Sequence, residues 1–179
     1  MIRRTFSFLD AKLFKKLYVS FVRPHLEYAQ VVWSPYLKKY KNMLENVQIR
    51  ATKLVDGMAS IPYHERLKAL QLPTLAYRRA RGDMIEIFKH IHSYDKNSLS
   101  PRYLLNTRPS RKHRYQLVTR VPNDGVNGRQ TNSFLFRSAK IWNELPNYVV
   151  DAESINSFKN NLDMAWSNDT MKYNIPSDS

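Results

Sequence analysis

Hydrophobic residues recur at three- and four-residue intervals through most of this chain, the spacing of one face of an α-helix. The pattern predicts helices over residues 10–22, 38–55 and 62–70, and a longer one from residue 73 to about residue 92. The predicted buried positions of this longest helix are Tyr77, Ala80, Met84, Phe88 and Ile91. In the helix over residues 38–55, Met43, Leu44, Val47 and Ala51 fall on the apolar side, with Asn46, Arg50 and Lys53 on the other.

Capping residues and prolines predict where these helices begin and end. Asp10 is a predicted N-cap because its side chain can accept a hydrogen bond from the first turn. Pro24 is predicted to end the first helix, since proline cannot donate a helical hydrogen bond. A short second helix is expected over residues 25–33. Gly57 is predicted to cap the helix over residues 38–55 in the left-handed conformation.

The pattern changes after residue 92. Residues 93–132 are rich in Ser, Asn, Pro and Arg, which is typical of a linker or a long loop. A short strand over residues 115–121 can pair across the turn at 122–125 with the chain that follows. Helical spacing returns over 133–145 and 154–166, and polar residues beyond that predict a frayed tail.

We therefore predict a mainly α fold with four parts. Residues 1–92 form a helical bundle, and residues 93–132 form a basic loop or linker with a short β-hairpin. Residues 133–167 form a pair of C-terminal helices, and residues 168–179 form a flexible tail.

Charge is distributed unevenly along the chain. The sequence has 29 Lys and Arg against 15 Asp and Glu, a net charge of +14. Residues 1–120 carry 24 basic and 8 acidic side chains, whereas residues 121–179 carry 5 basic and 7 acidic ones. A basic region of this kind favours a polyanionic partner, most commonly nucleic acid.

Several classes of function are disfavoured by composition. The absence of cysteine excludes disulfides, cysteine zinc sites and thiol nucleophiles. No two acidic residues are adjacent, and the five histidines lack metal-ligand spacing, so we expect no catalytic centre, metal or cofactor. No apolar run approaches the roughly 20 residues that span a bilayer. We expect a nuclear or cytoplasmic protein, neither secreted nor membrane-spanning.

The most specific basic cluster is Arg78, Arg79 and Arg81 on the longest predicted helix. Arg79 can pair with Asp83 at the i,i+4 spacing. Arg78 and Arg81 have no such acid on the same helix, so they are expected to be available for phosphate. The alternative is a solvated face with local salt bridges.

Two further basic clusters differ in character. Lys38, Lys39 and Lys41 stand at a predicted helix start, where cations oppose the helix dipole, and this placement indicates an external anion. Arg111, Lys112 and Arg114 lie in the predicted linker, and they can either fold onto a nucleic-acid backbone or remain in a solvated loop.

Longer stretches of the chain resemble one known family. They are LYVSFVRPHLEYA over residues 17–29, VWSPY over 32–36, LENVQIRATK over 44–53, YHERL over 63–67, LAYRRARGDM over 75–84, RQTNSFLF over 129–136, IWNELP over 141–146 and SFK over 157–159. These resemble the region that follows the catalytic palm of non-LTR, LINE-type (jockey-like) retrotransposon reverse transcriptases.

This resemblance implies a helical, thumb-like region that grips a template–product duplex. The palm and its paired aspartates would lie upstream of Met1, so we expect a non-catalytic fragment of an RNA-directed DNA polymerase. The implied partners are RNA, DNA or RNA–DNA hybrid, bound through the backbone, or a palm-bearing polymerase chain. The cations that match the family and are candidates for backbone contact are Arg23, Arg50, Lys53, Arg66, Arg78, Arg79 and Arg81.

Two alternatives stay open at this point. Arg23, before Pro24, and Arg66, beside Glu65, can instead cap or bridge helices. The whole chain can also be a protein-interaction or self-associating helical module, since the apolar N-terminal residues around Phe6, Phe8 and Leu9 favour packing against another protein.

Overall fold

The computed structural model describes residues 8–28, 35, 37–92, 113, 115–119 and 134–174. In this part of the chain the fold is mainly α-helical, which confirms the predicted class, and it contains no strand. The helices are α1 (Ala11–Leu17), α2 (Arg23–Glu27), α3 (Lys38–Thr52), α4 (Tyr63–Leu70), α5 (Leu75–Ile91), α6 (Phe134–Asn143), α7 (Asn147–Val150) and α8 (Ile155–Ala165), with a 3-10 turn at Thr170–Lys172.

Some predicted elements lie mostly outside the described residues. These are the greater part of the linker, the turn of the hairpin and most of the short helix expected over residues 25–33. Of the predicted strand over residues 115–121, the part that is described is irregular apart from a single bridge residue, Leu117. Asn143 holds this segment, because its side chain exchanges two hydrogen bonds of 2.8 Å with the Leu117 backbone.

The prediction that Pro24 ends the first helix was wrong. Asp10 caps α1 as expected, accepting a 2.7 Å hydrogen bond from the Leu13 N–H. The helical path then continues through a π turn at Tyr18–Val22 into α2, with Pro24 in the first turn of α2. In the π turn the Arg23 N–H donates to the carbonyl five residues back. This wider turn accommodates the proline ring, which would clash with a carbonyl in a regular helix.

The chain divides into two compact units. Unit 1 comprises residues 1–79 and 169–179, and unit 2 comprises residues 80–168. The boundary therefore lies within α5, whereas the sequence pattern placed a division where that helix ends. Periodicity marks the end of a helix, but the core that each residue joins depends on partners distant in sequence.

Unit 1 is built on α1, α4 and the chain that follows α3. Two hydrogen bonds join the chain before α1 to the chain after α3. The Leu9 N–H donates to Asp56 Oδ2 at 2.6 Å, and the Asp56 N–H donates to the Leu9 carbonyl at 3.1 Å. Gly57 has a φ of +77°, the left-handed conformation expected after α3. The core residues are Leu9, Phe14, Tyr18, Val55, Leu67, Leu70 and Leu72.

Part of the segment that the sequence predicted to fray, residues 168–174, is described, and it makes specific hydrogen bonds. Thr74, just before α5, donates its hydroxyl to the Met171 carbonyl at 2.7 Å and its N–H to the Lys172 carbonyl at 2.9 Å. Asp169 caps the 3-10 turn through the Met171 N–H. Composition could not show this attachment, because its partner lies nearly a hundred residues earlier.

Unit 2 packs the second part of α5 against α6, α7 and α8. Phe88 stacks on Phe158 with ring centroids 4.3 Å apart, and the fully buried Trp142 donates its indole N–H to the Tyr115 carbonyl at 2.8 Å. The predicted buried positions of α5 are confirmed for Tyr77, in unit 1, and for Ala80, Met84 and Phe88, in unit 2.

Candidate nucleic-acid interface

Helix α3 buries a polar face and exposes much of its apolar one. Its buried residues are Glu45, Gln48 and Thr52, at most 5% exposed. Met43 and Val47, which the sequence pattern placed on the apolar and therefore core-facing side, are 56% and 41% exposed. The prediction failed here because the surface opposite α3 carries hydroxyl and backbone donors.

The buried face of α3 is part of one continuous hydrogen-bond network. Tyr18 Oη donates to Gln48 Oε1 at 2.6 Å, and Gln48 Nε2 donates to both Tyr63 Oη and the Pro73 carbonyl at 3.0 Å. Tyr63 Oη donates to Glu45 Oε1 at 2.6 Å, and the Leu75 N–H donates to Glu45 Oε2 at 3.1 Å. This satisfied network fixes α3 against α4 and the start of α5.

Burial dominates the acid–base properties of this network. It raises the pKa of the Glu45 carboxyl, although the Tyr63 hydrogen bond and the positive charge of Arg79 oppose the change. Burial, together with the Glu45 charge, raises the pKa of Tyr63 far above its ordinary value. Burial likewise raises the pKa of Tyr18. Tyr18 and Tyr63 therefore keep their protons, and they act as hydrogen-bond groups.

The opposite side of α3 carries a basic stripe. Positions separated by four, three, four and three residues share one face of a helix. The residues at this spacing are all exposed and include three cations and no acid. We call this set the α3 stripe; it consists of Lys39, Met43, Asn46, Arg50 and Lys53.

Arg50 and Lys53 are thus the predicted cations that the structure places on an open surface. Lys39 was not among the cations that the family resemblance implied, but the sequence placed it in the cluster at the start of the helix that indicates an external anion. Between Lys39 and Lys53 the stripe is about 21 Å long, from the 1.5 Å rise per helical residue.

The cations of α5 have acidic neighbours from other elements. Arg78 forms an ion pair with Glu27 through two hydrogen bonds, the Nη2–Oε2 bond being 2.8 Å long. Arg81 forms a similar pair with Asp163, with bonds of 2.6 and 2.8 Å. Arg78 and Arg81 have no acid at pairing distance on their own helix, as the sequence showed. Their acidic partners lie 51 and 82 positions away in sequence, so helical spacing alone could not reveal them.

Arg79 and Asp83 are both buried. Arg79 is 8% exposed and acts electrostatically on Glu45 in unit 1. Asp83 pairs with Arg137, whose Nε lies 3.1 Å from Asp83 Oδ2 in unit 2, and it accepts a 3.3 Å hydrogen bond from the Ser138 hydroxyl. Arg79 is therefore set in the interior, not on an open basic surface.

Arg66 and Arg23 have structural contacts, as the alternative interpretation expected. Arg66 is 2% exposed, and its Nη1 donates to the Ile49 carbonyl and to Thr52 Oγ1, both at 2.9 Å. It thereby binds the last turn of α3. Arg23 Nε lies 4.0 Å from Glu27 Oε1 at the i,i+4 spacing.

The remaining predicted cations, Arg111, Lys112 and Arg114, lie outside the described residues. In the part of the chain that is described, no three His, Asp or Glu side chains converge as a metal site would require. No helix there is both long and apolar enough to cross a membrane.

Comparison with known proteins identifies no relative. The chain matches no protein-family model, and searches of the curated proteins and of the solved structures found no match. What the structure establishes is a mainly α-helical protein with a basic stripe on α3.

Proposed function

We propose that this chain binds RNA, DNA or RNA–DNA hybrid through the sugar-phosphate backbone, without sequence preference and without a catalytic step of its own. The resemblance of its longer motifs to the region after the palm of LINE-type reverse transcriptases supports this proposal. So does the concentration of positive charge in the first 120 residues.

The observation that carries the proposal is the α3 stripe. Its three cations are exposed, none forms an ion pair in the described part of the chain, and no acid is exposed on α3. The cations of α5, in contrast, are either paired with acids or buried. The binding surface is therefore proposed on α3, and the α5 cluster holds the fold together.

The length of the stripe suits a nucleic-acid backbone. One strand of duplex DNA carries one charge per about 3.4 Å of helix axis, so about 21 Å corresponds to roughly six phosphates. Lysine and arginine bind phosphates without reading bases, hence binding should be strongly salt-dependent and similar for different sequences.

The test is a fluorescence anisotropy titration of labelled duplex DNA, RNA–DNA hybrid and single strands across a salt series. The variant K39Q/R50Q/K53Q removes the charge of the stripe. The matched control K12Q/K16Q/K68Q removes the same charge from exposed lysines elsewhere in unit 1. Circular dichroism establishes that both variants are folded.

We expect the stripe variant to bind all duplexes more weakly and to lower the slope of log K against log salt by roughly 2 to 3, at about 0.9 per phosphate. The control should change this slope by less than about 1. Equal losses in the two variants would mean that net charge alone attracts the nucleic acid. No binding by the wild-type chain would refute the proposed function.

A second function, self-association or binding of another protein, is favoured by exposed aromatic residues in unit 1. Phe8, Phe21 and Tyr28 are 68%, 67% and 76% exposed. Sedimentation velocity over a concentration range tests this alternative. Association that is lost in F21S/Y28S but kept in the stripe variant would support it, and a monomer at all concentrations would exclude self-association.

A further inference from the structure

Three exposed apolar side chains lie beside the cations of α3. Tyr40, Met43 and Val47 are 49%, 56% and 41% exposed. Their spacings of three and four residues place them along one line on the helix surface. We call this set the α3 ridge. At the 1.5 Å rise per helical residue it is about 10 Å long, and it shares Met43 with the α3 stripe.

The α3 ridge has cationic neighbours on the same helix. Lys39 lies four residues before Met43, and Arg50 lies three residues after Val47, so each cation is next to a ridge residue on the helix surface. Glu45, the acid within the sequence of α3, is buried on the side that packs into unit 1. The outer surface of α3 therefore combines positive charge with apolar contact area.

This combination favours a polyanion over a protein as the partner. The centre of a protein–protein interface is depleted of charged residues, lysine included, and a standard interface covers roughly 800 Å² on each partner. The α3 ridge offers only three apolar side chains, and cations border it. Its charge is complementary to a polyanion, and its apolar side chains require that this polyanion also present apolar faces. Unpaired nucleobases on a phosphate backbone have both properties.

We propose that the α3 ridge binds unpaired nucleobases, so that this face of α3 prefers single-stranded nucleic acid. The inference rests on the proposed function, because it adds base contacts to the backbone contacts of the α3 stripe. The Tyr40 ring is a surface on which a base can stack, and Met43 is flexible and polarisable enough to adapt to different bases. In a duplex the neighbouring base pairs cover each base face, and only the backbone reaches the helix. Stacking is tolerant of sequence, so binding stays unspecific.

The test compares strands that have the same backbone and differ in whether they carry bases. The Kd values of an oligothymidine, an abasic strand of equal length and a duplex are measured by fluorescence anisotropy at one ionic strength. Y40S removes the ring from the ridge, whereas Y40F keeps the ring and removes only the hydroxyl. The matched control is Y148S on α7, because Tyr148 is 52% exposed, close to the 49% of Tyr40. Circular dichroism establishes that each variant is folded.

We expect the wild type to bind the oligothymidine about tenfold more tightly than the abasic strand, which is within the range for a base stacked on an aromatic side chain. Y40S should bind the two strands nearly equally and leave the Kd of the duplex unchanged. Y40F and Y148S should keep the tenfold ratio. The stripe variant K39Q/R50Q/K53Q should weaken both strands by the same factor, since it removes backbone contacts and leaves the Tyr40 ring in place.

The outcomes separate this inference from the proposed function. If the oligothymidine and the abasic strand bind the wild type alike, the inference fails while the proposed function stands. If neither strand nor the duplex binds, both fail. A ratio that persists in Y40S, or that Y148S also abolishes, would overturn the inference because the bases would be contacted elsewhere. Loss of the ratio in Y40F would do the same, since the hydroxyl would then be responsible.

A second copy of the chain is the competing occupant of the ridge. Sedimentation velocity of the wild type, Y40S and Y148S without nucleic acid tests for it. Dimers of the wild type that Y40S abolishes and Y148S keeps would assign the ridge to self-association and overturn the inference. A wild type that stays monomeric in the concentration range of the titrations would support it, because the ridge is then open to a strand.

Discussion

Glu27 of α2 and Arg78 of α5 lie 51 positions apart in sequence and form a two-hydrogen-bond ion pair in unit 1. Arg23 approaches the same carboxylate at 4.0 Å, so one acid lies beside two guanidinium groups. All three side chains are less than a third exposed. The cluster therefore fixes the helix that follows the π turn to the start of α5.

We predict that this pair contributes measurably to stability. A double-mutant cycle with E27Q and R78Q, followed by urea unfolding, should give a coupling energy of about 1 kcal/mol, since the pair is bidentate and partly buried. The pair Arg81–Asp163 is a natural comparison, because Asp163 is 49% exposed and water screens it more. Its coupling should be about 0.5 kcal/mol or less. A larger value for the more exposed pair would contradict this ranking.

Arg66 should stabilise the end of α3 through its hydrogen bonds. R66M keeps much of the side-chain volume but removes the bonds to the Ile49 carbonyl and Thr52 Oγ1, and it should lower the free energy of unfolding by about 2 kcal/mol. R50M, on the exposed side of the same helix, should change it by less than about 0.5 kcal/mol. If the R66M protein is as stable as the wild type, the free-energy cost of burying the guanidinium charge equals the stabilisation from its hydrogen bonds.

Glu45 should make stability depend on pH in a defined direction. Its pKa in the folded chain is raised, mainly by burial, above the ordinary value of 4.5. As the pH rises through this ordinary value, the unfolded chain loses the proton first, so the folded state loses stability until its own carboxyl ionises. Stability from this group is therefore greatest in acid and falls as the pH rises.

The measurement is urea unfolding of the wild type and of E45Q over a pH series starting below pH 4.5. Both proteins share every other titrating group, so the difference between their free energies of unfolding isolates Glu45. We expect this difference, wild type minus variant, to become smaller with rising pH. A difference that grows with pH would show that the Tyr63 bond and the Arg79 charge outweigh burial.

The predictable parts of this fold are those where local periodicity and burial agree. Ala80, Met84 and Phe88 lie at helical spacing in α5 and are buried. Met84 and Phe88 belong to the apolar core of unit 2. The same reasoning failed for Met43 and Val47 of α3. Their helix packs through Glu45 and Gln48 instead, and the partners that make this favourable, Tyr18 and Tyr63, lie on other elements.

The candidate nucleic-acid interface could likewise be predicted only in part from the sequence. Sequence could count the cations of α5, but it could not show that Glu27 and Asp163 lie beside Arg78 and Arg81. Such partners are brought together only by the tertiary fold. The spacing of Lys39, Arg50 and Lys53 was visible in the sequence, but their exposure depended on which face of α3 packs inward.

The polar underside of α3 has a consequence for how this helix opens. If the turns from Lys38 to Gln48 separate from unit 1, the buried side chains that they expose, Glu45 and Gln48, are both polar. Such an opening carries a small heat-capacity change and responds weakly to urea, whose effect follows the surface that is exposed. We therefore expect the amide protons of these turns to exchange with solvent at a rate that denaturant changes little. The amide protons around Phe14 and Leu67 should exchange only when the apolar core unfolds.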